Sequence, residues 1–100
     1  MKLEILAKNT TMQDNISLIQ AILLLKNNED THEFLTDLLT SSEREELEQR
    51  LQIAKKLHDG VSYKEIEQIT GASSTTIARV AKCLHRENSG YKNIFLQATS

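Results

Sequence analysis

Hydroxyl and cationic side chains fall on one face of a helix that the sequence predicts from Ser74 to about Arg86. At about 100° per residue, one arc of this helix carries a threonine and three cations, namely Thr75, Arg79, Lys82 and Arg86. Serine and threonine hydroxyls can hydrogen-bond to base edges, and lysine and arginine attract phosphates. This chemistry suits a nucleic acid. A solvated helix face would explain the cations equally well, but it would not explain the turn that precedes the helix.

A short helix and a tight turn come before this face. Ser62-Tyr63-Lys64-Glu65 has the form of a capping box, which predicts a helix whose buried contacts come from Ile66 and Ile69. Gly71 ends that helix, because glycine readily adopts the left-handed backbone conformation that a tight turn requires. Ser73 is placed to cap the next helix. Two helices joined by a short glycine-containing turn form a helix-turn-helix.

The helix-turn-helix covers about residues 62–87. The inner arc of its second helix carries four apolar residues at helical spacing, namely Ile77, Val80, Ala81 and Leu84. In this motif the N-terminal residues of the second helix contact base edges. The sequence therefore predicts a recognition helix that packs through its inner arc and faces DNA through its outer arc.

The net charge of −2 alone argues against a nucleic-acid partner, but the charges are unevenly distributed. Residues 1–50 carry 5 Lys/Arg and 10 Asp/Glu, which gives −5, whereas residues 51–100 carry 7 and 4, which gives +3. The half of the chain that contains the helix-turn-helix is therefore the basic half. A polyanion-binding surface is expected there.

The segment from Ile16 to about Lys26 is apolar on nearly every side of a helix. A helix that is apolar all round is buried all round, and a 100-residue domain can hardly enclose one. We therefore expect a partner chain to cover part of it, which predicts a homodimer. The alternative is that this segment is the central core helix of a monomer.

Two further helix starts lie between this segment and the helix-turn-helix. Asp30-Thr31-His32-Glu33 has the capping-box form and precedes a core face made of Phe34, Leu35, Leu38 and Leu39. Thr40-Ser41-Ser42-Glu43 starts a longer helix that ends at Gly60, with a core stripe of Leu47, Leu51, Ala54 and Leu57. The chain is predicted to be all-α, with about six helices in a single domain over residues 1–100.

The residue pattern argues against an enzyme and against a metal site. Cys83 and His85 are two positions apart on a helix and point in nearly opposite directions, and His32 and His58 are isolated. No phosphate-binding loop and no nucleophile with a nearby base occurs. The acidic run from Glu43 to Glu48 is explained by the helix dipole. No cofactor is expected, and Cys83 is interpreted as a small packed residue.

The sequence also indicates a cytoplasmic protein. Met1 to Leu6 is too short and too charged for a signal peptide, and the apolar stretch from Ile16 to Leu25 is about half the length of a membrane span. The single cysteine cannot form an internal disulfide. These features fit a reducing compartment and no membrane partner.

Several motifs resemble the Trp repressor family over about residues 30–96. The long helix begins with Leu39-Thr40-Ser41-Ser42-Glu43-Arg44-Glu45 and continues to Arg50 and Gly60. The helix-turn-helix carries Gly71-Ala72 and Thr76-Ile77-Ala78-Arg79. Two later segments, Cys83-Leu84 and Asn88-Ser89-Gly90-Tyr91, are more similar to an uncharacterised Trp-repressor-like branch. The resemblance implies six helices and an intertwined dimer whose N-terminal helices interlock.

The resemblance also implies which residues face DNA. The family's DNA-facing positions fall on Tyr63, Lys64, Glu67, Ser74, Thr75, Thr76 and Ala78. Glu67 departs from the family, which has a basic residue there, and a carboxylate near a phosphate costs affinity. Together with the outer arc and the cap, the predicted DNA-binding residues are Tyr63, Lys64, Ser73, Ser74, Thr75, Thr76, Ala78, Arg79 and Lys82.

The family's tryptophan-facing positions fall on Thr40, Arg50, Arg79, Val80 and Cys83. Val80 and Cys83 replace a glycine and a serine of the Trp repressors. We infer that glycine leaves a space that an indole ring can occupy, whereas the side chain of Val80 occupies this space itself. Tryptophan is therefore not expected to act as a corepressor.

The sequence thus predicts a homodimeric, sequence-specific DNA-binding regulator, most simply a repressor of transcription. The rival hypothesis is a protein-interaction module that keeps the helix-turn-helix shape without binding DNA specifically. The acidic first half and Glu67 motivate this rival.

Overall fold

A computed structural model describes residues 15–99, and within them the chain forms six helices and no strand. The helices are α1 (Leu18–Leu23), α2 (Asn28–Leu38), α3 (Ser41–His58), α4 (Tyr63–Thr70), α5 (Ser74–His85) and α6 (Gly90–Ala98). The all-α prediction with six helices is confirmed. The described helices fall into two compact units, α1–α2 and α3–α6. The single domain over residues 1–100 stays a prediction. The segment Met1 to Leu6, on which the prediction of no signal peptide is based, lies outside the described residues.

Three helices start at the side chains that the sequence predicts. At α3, the Glu43 N–H donates to the Thr40 hydroxyl at 3.1 Å and the Thr40 N–H donates to the Glu43 carboxylate at 2.9 Å. At α4, the Ser62 hydroxyl accepts the N–H of Glu65 at 3.2 Å, which is one of the two bonds of a capping box. At α5, the Ser73 hydroxyl accepts the N–H of Thr76 at 3.2 Å.

The bounds of the first two helices differ from the prediction. Ser17 forms a capping box with Gln20, and α1 ends at Leu23 instead of near Lys26. The capping box predicted at Asp30 is wrong, because the Asn27 side chain caps α2 and accepts the N–H of Asp30 at 2.8 Å. Asparagine caps helices as well as aspartate does, so this earlier cap starts the helix one turn sooner.

The apolar side chains of α1 are exposed, and the helix contains no buried residue. Ile19 is 70% exposed and Leu23 is 78% exposed. The dimer interface and the monomer core both remain predictions for this helix. The predicted core face of α2 is also not buried, since Leu38 is exposed and Phe34 and Leu35 are only half-buried.

The unit α3–α6 has an aliphatic core closed by one aromatic ring. Its buried cluster consists of Ile53, Ala54, Ile66, Ile77, Val80, Leu84 and Phe95. All four predicted inner-arc residues of α5 are buried. Among the described residues, no helix is long and apolar enough to cross a membrane.

Two details of this core differ from the predictions. On α3, Ala54 is buried and Leu57 packs against the core, but Leu47 and Leu51 are exposed and Ile53 is buried instead. On α4, Ile66 is buried whereas Ile69 is 60% exposed. The buried arc of α4 runs from Ile66 towards Thr70, whose hydroxyl donates to the Ile66 carbonyl at 2.7 Å.

The end of α3 anchors α6. The Lys55 ammonium lies 2.7 Å from the Asp59 carboxylate and 6.0 Å from the ring centroid of Phe95, which is buried. The hydrogen bond from Lys55 lowers the pKa of Asp59 below its ordinary value. The His58 ring lies 5.3 Å from the same phenyl ring. Gly60 adopts a φ of +87°, which lets the chain leave α3 in a left-handed turn.

Candidate nucleic-acid interface

The turn between α4 and α5 has the geometry of a helix-turn-helix. Gly71 caps α4 with a φ of +72°, and its N–H donates to the Glu67 carbonyl at 2.9 Å. Only residues 71–73 separate the two helices. The Gln49 side chain on α3 donates to the Thr70 carbonyl at 3.2 Å, which fixes the end of α4 against the long helix. Both hydrogen bonds therefore hold the α4 side of the turn.

The first turn of α5 presents hydroxyl groups to solvent. Ser73, Ser74 and Thr75 are exposed, whereas Thr76 is half-buried. The Thr76 hydroxyl lies 3.1 Å from the Ser73 hydroxyl, so these two groups hydrogen-bond to each other in the free protein. Ser74 and Thr75 are therefore the hydroxyls most available to base edges.

The predicted cations lie on both helices of the motif. Arg79 and Lys82 are exposed on the outer arc of α5, Arg86 is exposed as the C-cap of α5, and Lys64 is exposed in the first turn of α4. None of the four has an ion-pair partner in the part of the chain that the structure describes. Tyr63 is 46% exposed beside Lys64, and Ala78 is exposed. The structure therefore places all nine predicted DNA-binding residues on α4, on α5 and in the turn between them.

Glu67 is the one acidic side chain among the positions that the family resemblance assigns to DNA. It is half-buried on α4, one turn before the Gly71 cap. A carboxylate repels phosphate, so Glu67 is the one position of this set whose charge does not suit DNA.

A cavity of about 390 Å³ lies behind the recognition helix, between α3, α5 and α6. Its lining residues are Glu46, Gln49, Arg50, Thr76, Arg79, Val80, Cys83 and Tyr91. Four of the five predicted ligand-pocket residues therefore line this cavity, namely Arg50, Arg79, Val80 and Cys83. The fifth, Thr40, has its hydroxyl engaged in capping α3 and is not among the lining residues.

Arg79 is both exposed on the outer arc and part of the cavity wall, so one side chain reaches both surfaces. Val80 is 3% exposed and belongs to the core, as its inner-arc position predicts. The interpretation of Cys83 as a packed residue is wrong, because Cys83 is exposed at the cavity. It lies one turn beyond Arg79, where the wall opens to solvent.

Sequence reasoning did not assign four of the lining residues to a ligand pocket, namely Glu46, Gln49, Thr76 and Tyr91, and it placed Thr76 only in the DNA-binding set. Glu46 and Gln49 precede Arg50 by four and one positions on α3, so helical spacing could have placed Glu46 beside Arg50. Tyr91 has no comparable signal, because it reaches the cavity only when α6 folds back onto α3 and α5. Among the described residues, no group of three or more His, Cys, Asp or Glu side chains is arranged to hold a metal.

Comparison with known proteins agrees with this geometry. A family model described as Trp repressor protein matches residues 13–99. The uncharacterised protein YerC of Bacillus subtilis (strain 168) is 44% identical over 75 residues, which cover 75% of this chain and 72% of YerC.

Two crystal structures share the fold. A TrpR-like protein from Eubacterium eligens ATCC 27750 superposes with a TM-score of 0.76 at 39% identity, covering 82% of this chain and 84% of the other. A proposed Trp repressor from Staphylococcus aureus superposes with a TM-score of 0.75 at 43% identity, covering 82% of each chain. The family match, the relative and both structures agree, and the chain belongs to the Trp repressor family.

Proposed function

We propose that this protein is a homodimeric, sequence-specific DNA-binding regulator that acts in the cytoplasm as a repressor of transcription. The observation that carries the proposal is the face of α5 on which exposed hydroxyls begin the helix and exposed cations continue it. Hydroxyls at the first turn suit base edges, and cations along the outer arc suit phosphates. Membership of the Trp repressor family supports the same role.

The dimer is part of the proposal because of α1. Its exposed leucine and isoleucine side chains would be covered by a second copy of the chain. A symmetric dimer carries two recognition helices, which would read two half-sites about 34 Å apart. Selection of bound sequences from a random duplex pool tests this directly. The proposal requires an enriched palindrome, and a pool without enrichment would contradict specific binding.

The predicted contacts divide into two groups with different effects on binding. Lys64→Ala or Lys82→Ala should weaken binding to every duplex and flatten its salt dependence, because each substitution removes a cation that faces a phosphate. Thr75→Ala should change which sequence is preferred, by about 1–3 kcal/mol for the removal of one base contact. Fluorescence anisotropy with specific and random duplexes at several salt concentrations measures both effects.

Lys56→Ala is a matched control, because Lys56 is a half-buried lysine of α3 that belongs neither to the predicted DNA-binding residues nor to the predicted dimer segment. It should leave the affinity and the salt dependence unchanged. If Lys64→Ala, Lys82→Ala and Thr75→Ala all bind DNA like the control, the recognition surface proposed above is wrong.

Tryptophan should not act as a corepressor of this protein. The valine at position 80 is buried in the wall of the cavity, so an indole would have to pass a β-branched side chain that has few rotamers. Overpacking of this kind typically costs about 1–3 kcal/mol. Calorimetry should show no binding of tryptophan below about millimolar concentration. Micromolar binding, or a roughly tenfold tightening on DNA in its presence, would restore the corepressor function.

The second candidate function is a protein-interaction module. Acidic side chains on α2 favour it, since Glu29, Asp30, Glu33 and Asp37 are all exposed. Such a surface suits a basic protein and repels DNA. The cations of α5 favour DNA instead. An affinity for duplex DNA that falls steeply as salt rises would support DNA binding over the protein-interaction module.

A further inference from the structure

Two cations, Arg86 and Lys92, lie where α5 ends and α6 begins, at the C-terminal end of the helix-turn-helix. A groove of about 660 Å³ opens there, lined among others by His85, Arg86 and Lys92 and by the amide side chains of Asn88 and Asn93. His85, Arg86 and Lys92 are exposed and have no ion-pair partner within residues 15–99. Glu87 is the single carboxylate among the lining residues, so this groove is basic.

The groove continues the cationic arc of the recognition helix. Arg79 and Lys82 lie on the outer arc of α5, and Arg86 follows them as the C-cap of the helix. Lys92 lies in the first turn of α6 and lines the same groove as Arg86. Arg86 and Lys92 therefore form a short cationic stripe that extends the outer arc of α5.

Asn88 supports this arrangement. Its φ of +59° is a left-handed conformation that asparagine tolerates better than most residues. Asn88 lies between the end of α5 and the start of α6, and Arg86 before it and Lys92 after it line the same groove.

We infer that the stripe formed by Arg86 and Lys92 binds the phosphate backbone of DNA outside the bases that the first turn of α5 reads. The inference rests on the proposed function and adds to it a second contact surface. A major groove about 12 Å wide has phosphates along both edges, so a stripe that runs along a helix in that groove can follow one strand. Each protomer would then cover more DNA than the helix-turn-helix alone.

The test compares the full-length protein with the double variant Arg86→Ala/Lys92→Ala on two duplexes. Both duplexes carry the selected palindrome, and one extends it by several base pairs of random sequence on each side. The unsubstituted protein should bind the longer duplex about tenfold more tightly, because the added phosphates release more counterions. The double variant should bind both duplexes equally, and its log–log salt slope should fall in magnitude by about 1 for each phosphate that it no longer neutralises.

The variant Arg86→Lys/Lys92→Arg keeps both charges and should behave like the unsubstituted protein. Lys56→Ala again reports the effect of removing a cation elsewhere. If the double alanine variant keeps the full salt slope and the preference for the longer duplex, the stripe does not bind DNA, although the recognition helix still can. If the unsubstituted protein binds neither duplex, the inference and the proposed function both fail.

Discussion

Ile19→Glu should dissociate the protein, with a decrease of about 3–6 kcal/mol in dimer stability. Ile19 is 70% exposed in a single chain, in the first turn of the apolar helix α1. Burying one isoleucine side chain is worth about 1.5–3 kcal/mol, and a symmetric interface contains the residue twice. A carboxylate at an apolar interface adds a desolvation cost in the same direction. The dimer dissociation constant should therefore rise at least about a hundredfold.

Sedimentation equilibrium at micromolar concentration measures this effect. The unsubstituted protein should show about twice the chain mass of 11.3 kDa, and the variant should not. His32→Glu is the control, because it adds one negative charge at an exposed polar position of α2. A stable, folded monomer of the unsubstituted protein would refute the dimer, and an Ile19→Glu variant that stays dimeric would place the interface away from α1.

Ile66→Ala should destabilise the protein by about 2–5 kcal/mol, the usual cost of removing a fully buried isoleucine. Ile66 is 0% exposed and lies between α3 and α5 in the core that supports the recognition helix. The shortened side chain would leave a cavity among Ile53, Ile77 and Leu84, which are also fully buried. Urea denaturation at a fixed protein concentration measures the change.

Ile69→Ala is an unusually close control for this experiment. It is the same substitution on the same helix, three positions away, but Ile69 is 60% exposed. Exposed substitutions usually change stability by no more than about 0.5 kcal/mol. Equal decreases in stability for the two variants would mean that Ile69 is buried in the functional protein, and the interface would then include α4.

Much of this fold could be predicted from local signals in the sequence. The starts of α3, α4 and α5 follow from Thr40, Ser62 and Ser73, because an N-cap is set by one side chain and the backbone N–H group three residues later. The turn follows from Gly71, whose left-handed conformation is a property of a single residue. The buried arc of α5 follows from the helical spacing of its apolar residues.

The errors occur where neighbouring helices decide the outcome. Ile66 and Ile69 are equally apolar, and only the position of α3 and α5 determines that the buried arc of α4 turns towards Thr70. On α3, Ile53 is buried in the core whereas Leu51 is exposed, because the neighbouring helices pack against the Ile53 side of the helix. α1 is shorter than its apolar stretch, because Ser17 caps it late and the last leucines leave the helix.

The candidate site also has one part that a single helix predicts and another part that depends on how several helices pack. Exposed hydroxyls and cations on α5 follow from a helical wheel, and the structure places them as the wheel does. The cavity does not follow from any single helix, because its walls come from α3, α5 and α6 together. Neither Tyr91 nor the groove shared by Arg86 and Lys92 could be predicted before the position of α6 was known.

The proposal that this protein binds DNA is tested most directly by a salt titration of its binding to the selected palindromic duplex. We expect the logarithm of the binding constant to fall linearly with the logarithm of salt concentration, with a slope of about −0.9 for each phosphate contacted. A scrambled duplex should bind more weakly at every salt concentration. Binding that is absent, or that does not respond to salt, would contradict DNA recognition by α5 and favour a protein partner.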